Sequence, residues 1–129
     1  MSKILKIAVC SAVLTVSVAS FAKDLAQEKG IICAGFYDNA AAFEKFHGDK
    51  DMEMKKFKYM LDNVAKYQNK MGVSEEALNS ATTRAKDIDL APFKVFYKEA
   101  EAKYSNASQS EIGELFLKYF KAREKKLGC

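Results

Sequence analysis

The chain has 129 residues, with 21 basic and 17 acidic residues and a formal net charge of +4. This length suits one domain, and a single proline with six glycines argues against a β-rich fold with many turns. The one dense basic run lies near the C terminus, where the dipole of a final helix favours cations, so we expect no nucleic-acid partner.

The first 22 residues have the layout of a secretory signal peptide. Lys3 and Lys6 precede an apolar stretch, and Ser20-Phe21-Ala22 places small residues at positions −3 and −1 of a cut after Ala22. A cut after Ala19 and an uncleaved anchor are the alternatives. We expect residues 1–22 to be removed on export, leaving 23–129 as a single helical domain, periplasmic or secreted, with no stable membrane insertion. Removal takes away two lysines and no acidic residue, which leaves a net charge of +2.

Two amphipathic helices are predicted first, over 23–46 and 50–71, because apolar residues recur there at three- and four-residue steps. The second has an apolar stripe that we expect to face the core. Its members are Phe57, Met60, Leu61, Val64, Tyr67 and Met71. Gly72 is the expected C-terminal cap, since glycine adopts a positive φ without steric cost.

A third helix is predicted to begin after Ser74, a suitable N-cap that precedes two glutamates in the first turn. Its expected inner face consists of Ala77, Leu78, Ala81, Ala85 and Ile88. Pro92 interrupts the pattern, because proline lacks the backbone N–H and clashes with the preceding turn. We expect the helix to be kinked at Pro92, or broken there with a new helix capped by Asp89. The apolar pattern continues to Tyr104.

The fourth helix is predicted to begin at a capping box, Ser108 to Glu111, and to end at Gly128. Its apolar stripe is strong and consists of Ile112, Leu115, Phe116, Tyr119, Phe120 and Leu127. Four amphipathic helices joined by short loops most simply form an antiparallel up-down four-helix bundle, which is the fold that we expect.

Two cysteines, Cys33 and Cys129, remain after signal removal. In an up-down bundle the start of the first helix lies beside the end of the fourth, so the two are expected to form an intrachain disulfide bond. Such a bond would close a loop of about 97 residues. On the chain-entropy model it would stabilise the folded state by about 4–5 kcal/mol. Free thiols and an intermolecular bridge are the alternatives.

The segment Cys33-Ala34-Gly35-Phe36-Tyr37, the turn from Gly72 to Glu76 and the late cysteine resemble a diffuse class of short exported helical proteins. That class occurs in Gram-negative bacteria and their phages and is mostly uncharacterised. The resemblance implies a periplasmic helical domain, and none of its motifs is catalytic.

Chemistry-bearing motifs are sparse. His47 is the only histidine, so a nucleophile would lack a convincing base, and no phosphate-binding loop or G-x-S-x-G motif is found. We expect no enzymatic activity and no cofactor. The stretch "FHGDKDMEMKKF" holds His47, Met52 and Met54, which are soft ligands suited to copper. Methionine is also a common core residue, so an ordinary helix start is the alternative.

Aromatic residues exceed what a core of this size needs, with nine phenylalanines and six tyrosines. Some are expected at the surface, where aromatic side chains are enriched in interfaces. We place the candidate binding site at Phe93, Phe96 and Tyr97, beside Pro92. The sequence favours a non-enzymatic protein that binds another envelope protein, as an inhibitor, immunity, chaperone or exclusion factor. The alternative is a periplasmic carrier of a small ligand or of copper.

Overall fold

The computed structural model describes residues 25–44 and 51–129, and within these ranges the secondary structure is helical, with no strand. The helices are α1 (Lys29–Glu44), α2 (Asp51–Asn63), α3 (Glu75–Lys103) and α4 (Gln109–Leu127). A π-helical segment, Val64–Lys70, continues α2. The predicted signal peptide and His47 lie outside the described residues.

The helix ends follow their predicted caps. The Ser74 hydroxyl accepts a hydrogen bond from the Ala77 N–H at 3.1 Å, and the Ser108 hydroxyl accepts one from the Glu111 N–H at 3.3 Å. Gly72 and Gly128 both adopt positive φ. These contacts satisfy backbone groups that a helix end otherwise leaves without partners.

α1 is the central helix, and α2, α3 and α4 all pack against it. Its side chains Cys33, Phe36, Tyr37 and Ala40 are all at most 1% exposed. Small residues bring the neighbouring backbones close: a Cβ atom added at Gly35 would lie 2.8 Å from the Lys86 nitrogen of α3. The apolar and small residues of α1 face several sides of the helix, and most of them are buried against the neighbouring helices.

The Cys33–Cys129 disulfide bond is confirmed, with a Cα–Cα distance of 5.7 Å and 96 residues of sequence separation. It ties the end of α4 to the first half of α1. The final turn of α4 is also closed by the Cys129 N–H, which donates to the Glu124 carbonyl at 3.1 Å. The C terminus is therefore held on the core by both a covalent bond and a helix cap.

The alternative of a helix broken at Pro92 is wrong, because α3 runs without interruption from Glu75 to Lys103. Asp89, the proposed cap of a second helix, is buried and accepts hydrogen bonds from Arg123 Nε (3.1 Å) and Asn39 Nδ2 (3.3 Å). Proline inside a helix costs about 3 kcal/mol. Packing on both sides of Pro92, through Asp89 and the buried Phe93, holds the helix together.

The prediction of which α2 residues face the core is wrong. Of its six residues only Tyr67 is buried; the other five are exposed. The side of α2 that meets the core carries Met52, Asn63 and the half-buried Tyr59. On α3, Ile88 is likewise exposed where an inner position was expected, and Asp89 takes the buried place.

Candidate functional site

An aromatic cluster joins α1, α3 and α4. Phe93 lies at its centre, 5.5 Å from the Phe120 ring and nearly parallel to it, and 4.5 Å from the Phe43 ring. Phe96 stacks on Tyr119 with ring centroids 4.5 Å apart. Such pairs stabilise a fold by about 0.5–1.5 kcal/mol each beyond the area that they bury. Most of the aromatic surplus noted in the sequence is thus used for packing.

The three predicted binding residues have different environments. Phe93 is only 6% exposed and belongs to the core. Phe96 is half-buried against Tyr119. Tyr97 is 44% exposed, while the plane of its ring lies 18° from that of Phe116, with centroids 6.0 Å apart. Only Tyr97 offers a partner a large accessible aromatic surface.

Tyr97 stands between two apolar grooves. The larger has a volume of about 570 Å³, and Phe43, Leu90 and Phe93 line it together with Lys94 and Lys98. The smaller, of about 210 Å³, lies between the end of α3 and the start of α4 and includes Tyr104 and Ile112. We call Tyr97, these two grooves and the two lysines the Tyr97 surface.

A second apolar surface lies on α2. Met54 is 72%, Phe57 65% and Leu61 56% exposed, and Val64 continues the row. The spacing of three, four and three residues keeps these side chains on one face of a helix. We call these four residues the α2 stripe. The sequence showed the periodicity of this row but not the side of the helix that meets the core.

Polar contacts on the opposite side of α2 fix its orientation. Asp38 on α1 accepts from Lys56 Nζ at 2.8 Å and from Lys86 Nζ of α3 at 3.0 Å. Burial alone raises the pKa of Asp38, but the hydrogen bonds from the two lysines outweigh it and lower the pKa. The Asn63 Nδ2 donates to the Gly30 carbonyl at 3.2 Å. Each contact holds the polar side of α2 against α1.

Glu124 forms the corresponding link to α4. Its Oε2 accepts from the Tyr37 hydroxyl at 2.6 Å and from Lys55 Nζ at 2.9 Å. Burial raises the pKa of Tyr37 above its ordinary range, and the Glu124 carboxylate raises it further. Burial also opposes ionisation of Glu124, but the two hydrogen bonds prevail and lower its pKa. The Tyr59 ring stacks on Tyr37 with centroids 5.2 Å apart.

Two of the three proposed copper ligands, Met52 and Met54, lie in the described part of the chain. Met52 is buried in the core, whereas Met54 points outward in the α2 stripe. His47 lies outside the described part of the chain. Among residues 25–44 and 51–129, no group of three or more His, Cys, Asp or Glu side chains could hold a metal ion.

None of the described helices is both long enough and apolar enough to cross a membrane. Comparison of the chain with known protein families, with curated proteins and with solved structures finds no match. The function must therefore be inferred from the surfaces of this chain itself.

Proposed function

We propose that this chain is a small exported helical protein that acts without catalysis, by binding another protein of the bacterial envelope at the Tyr97 surface. The observation that carries the proposal is Tyr97 itself, an aromatic side chain set between two apolar grooves on a rigid aromatic cluster. Tyrosine is enriched at binding hot spots because it combines a large apolar ring with a polar tip. The disulfide bond supports export, since such bonds persist in oxidising compartments.

The charges that border the larger groove define the chemistry of the segment that it would bind. Lys94 and Lys98 are exposed on consecutive turns of α3 and border the larger groove. An apolar groove bordered by two cations fits a segment that carries apolar side chains next to carboxylates. The partner is therefore an envelope protein with an exposed acidic and apolar segment.

We also propose that the helices follow the up-and-down order of an antiparallel bundle and that α3 bends at Pro92. The disulfide bond between the first half of α1 and the end of α4 supports the order. Pro92 leaves the Ile88 carbonyl without its helical N–H donor, which supports the bend. A bend at this point would set the direction in which Tyr97, five residues on, faces a partner.

The test is capture from envelope extract with the immobilised mature protein, followed by titration of the captured protein. Tyr97→Ala is expected to weaken binding by about 1–2 kcal/mol or more, without change in the circular dichroism spectrum. The double variant Lys94→Glu, Lys98→Glu should weaken it further and remove its salt dependence. Ile88→Ala is the matched control, because it truncates an apolar side chain that is 59% exposed and lies outside the grooves.

Two results would overturn this proposal. One is a captured protein that binds every Tyr97-surface variant as tightly as it binds the parent. The other is capture of nothing beyond what a denatured sample of the same protein retains.

A small-ligand carrier remains the second candidate, because a groove of about 570 Å³ is within the size range of small-molecule sites. Its two lysines would favour an apolar ligand with an anionic group. Titration with an anionic apolar dye tests this candidate: saturable one-to-one binding that Lys94→Glu weakens would support a carrier. Dye binding unaffected by that substitution would reject it.

A further inference from the structure

α2 meets the core with Met52 and Tyr59 but also presents the four apolar side chains of the α2 stripe to solvent, which calls for an explanation. Three partly buried contacts hold α2 in this orientation: Lys56 on Asp38, Lys55 on Glu124 and Asn63 on the Gly30 carbonyl. Rotation of the α2 stripe inward would break all three and leave Asp38 and Glu124 half-buried without those cations. The stripe is therefore presented outward by the fold.

The spacing of the α2 stripe is that of a coiled-coil seam. Met54 and Leu61 occupy successive a positions of a heptad, and Phe57 and Val64 occupy the d positions. A seam of this kind matches the side of another α-helix, because knobs at a and d enter holes between four residues of the facing helix.

The residues beside the seam fit a second copy of the same helix. In the heptad numbering Glu53 is a g residue and Lys58 is the next e residue, and both are exposed. In a parallel, in-register pair the g residue of one helix faces the following e residue of the other. Glu53 of each copy then faces Lys58 of its partner, which gives two ion pairs related by the two-fold axis.

The charge of α2 argues against an anionic membrane as the occupant. Lys55 and Lys56 are bound to Glu124 and Asp38. The exposed charges of α2 and its π-helical continuation are three lysines and three acidic residues: Lys58, Lys66, Lys70, Asp51, Glu53 and Asp62. A helix that binds an anionic bilayer surface carries an excess of Lys and Arg, which this face lacks.

We propose that the α2 stripe is a self-association surface, through which two copies of this chain pair by parallel, in-register contact of their α2 helices. The inference is independent of the Tyr97 surface, which is formed by α1, α3 and α4. The seam is short, because the π-helical segment from Val64 onward changes the helical repeat and ends the heptad register. The dimer is accordingly weak and dependent on concentration.

The test is sedimentation of the mature, disulfide-bonded protein from about 1 µM to about 1 mM. We expect a monomer–dimer equilibrium. Leu61→Glu should raise the dimer Kd by at least about tenfold, because a charge at an a position is desolvated in the pair. Ile88→Glu places the same charge at an exposed apolar site on α3 and should leave the Kd unchanged. Thermal unfolding of both variants should match the parent, since both positions are more than half exposed.

Charge reversal identifies the partner as a second copy and fixes the orientation. Glu53→Lys alone and Lys58→Glu alone should each weaken the dimer, since each replaces two attractions by two repulsions. An equimolar mixture of the two single variants should form heterodimers more tightly than either forms homodimers, because both ion pairs are then restored.

Four results would overturn the proposal: a monomer at every concentration, a dimer that Leu61→Glu does not weaken, a mixture that gains no affinity, or vesicles of anionic lipid that bind the protein through Leu61. Retained capture of an envelope partner by the Leu61→Glu variant leaves the function of the Tyr97 surface intact, so the two proposals fail separately.

Discussion

α1 is buried along most of its surface, with Ala42 exposed, whereas α2 meets the core with Met52, Tyr59 and Asn63 and turns a second, apolar row to solvent. The two helices pack against each other, so the difference in burial arises from their other neighbours. α1 is surrounded by three helices, and its apolar sides have no alternative to burial. α2 meets the core on one side only, and there its lysines and Asn63 find partners on α1 and α4. An amphipathic pattern therefore defines a face, while specific polar contacts decide where that face points.

Removal of the disulfide bond should give the largest effect on the central helix. Cys33→Ser combined with Cys129→Ser avoids a lone thiol and opens a loop of about 97 residues, which should lower the free energy of unfolding by about 4–5 kcal/mol. Chemical denaturation of the oxidised parent and the double variant gives the value. A loss below about 1 kcal/mol would mean that the aromatic cluster alone holds α4 on α1.

Substitution by a larger side chain should cost stability at a buried position of α1 and have little effect at an exposed one. Gly35→Ala places a Cβ atom against the α3 backbone, so we expect a loss of about 1–3 kcal/mol, reduced by the higher helix propensity of alanine. Ala42→Leu on the exposed side of the same helix should change stability by less than about 0.5 kcal/mol. Equal costs in thermal unfolding would argue against the close approach of α1 and α3.

Acid should weaken the contacts that hold α2 against the core. Asp38 and Glu124 have pKa values lowered in the folded state, so their stabilising contribution is full above the ordinary carboxyl pKa of about 4 and is lost as pH falls through the lowered values. Asp38→Asn should lower the free energy of unfolding at neutral pH and make that free energy depend less on pH in the acid range. Asp62→Asn removes a carboxylate at an exposed position of α2 and is the matched control for the loss of charge. An identical pH profile for Asp38→Asn and the parent would contradict the account.

Alkaline pH should also lower the free energy of unfolding, through tyrosine side chains. Burial raises the pKa of the Tyr37, Tyr67 and Tyr119 phenols. The folded state therefore retains these protons while the unfolded chain loses them near pH 10, so stability falls as pH rises above about 10. Absorbance titration of the parent beside a Tyr37→Phe variant should show that the Tyr37 phenol ionises above the ordinary tyrosine pKa of about 10. Ionisation of Tyr37 at or below that pH in the folded protein would contradict its burial against Glu124.

Much of the architecture was predictable from local chemistry. The caps at Ser74, Ser108 and Gly128 follow from hydrogen-bonding and φ preferences that depend on a few neighbouring residues. The Cys33–Cys129 bond followed from the predicted order of the helices and from the two cysteines that lie beyond the predicted signal peptide. Tyr97 was identified as a surface aromatic, although Phe93, in the same prediction, belongs to the core.

The features that could not be predicted depend on contacts between residues that are far apart in the sequence. Nothing near Asp89 in the sequence indicates that Asn39 and Arg123 will bind it, and so it was taken as a possible cap. The orientation of α2 depends on Asp38 and Glu124, which are 18 and 69 residues from the lysines that they bind. A helical pattern contains no information about such partners, so the face that it defines was assigned to the core by default.

The outward orientation of the α2 stripe is tested most directly by truncating one phenylalanine on each helix, with unfolding measured at a concentration where the protein is monomeric. Phe36→Ala on α1 should lower the free energy of unfolding by about 3–5 kcal/mol, because it empties a fully buried site. Phe57→Ala on α2 should change it by less than about 0.5 kcal/mol, because that ring is 65% exposed. A cost for Phe57→Ala comparable to that for Phe36→Ala would show that the stripe packs into the core and would contradict both the orientation of α2 and its proposed role in self-association.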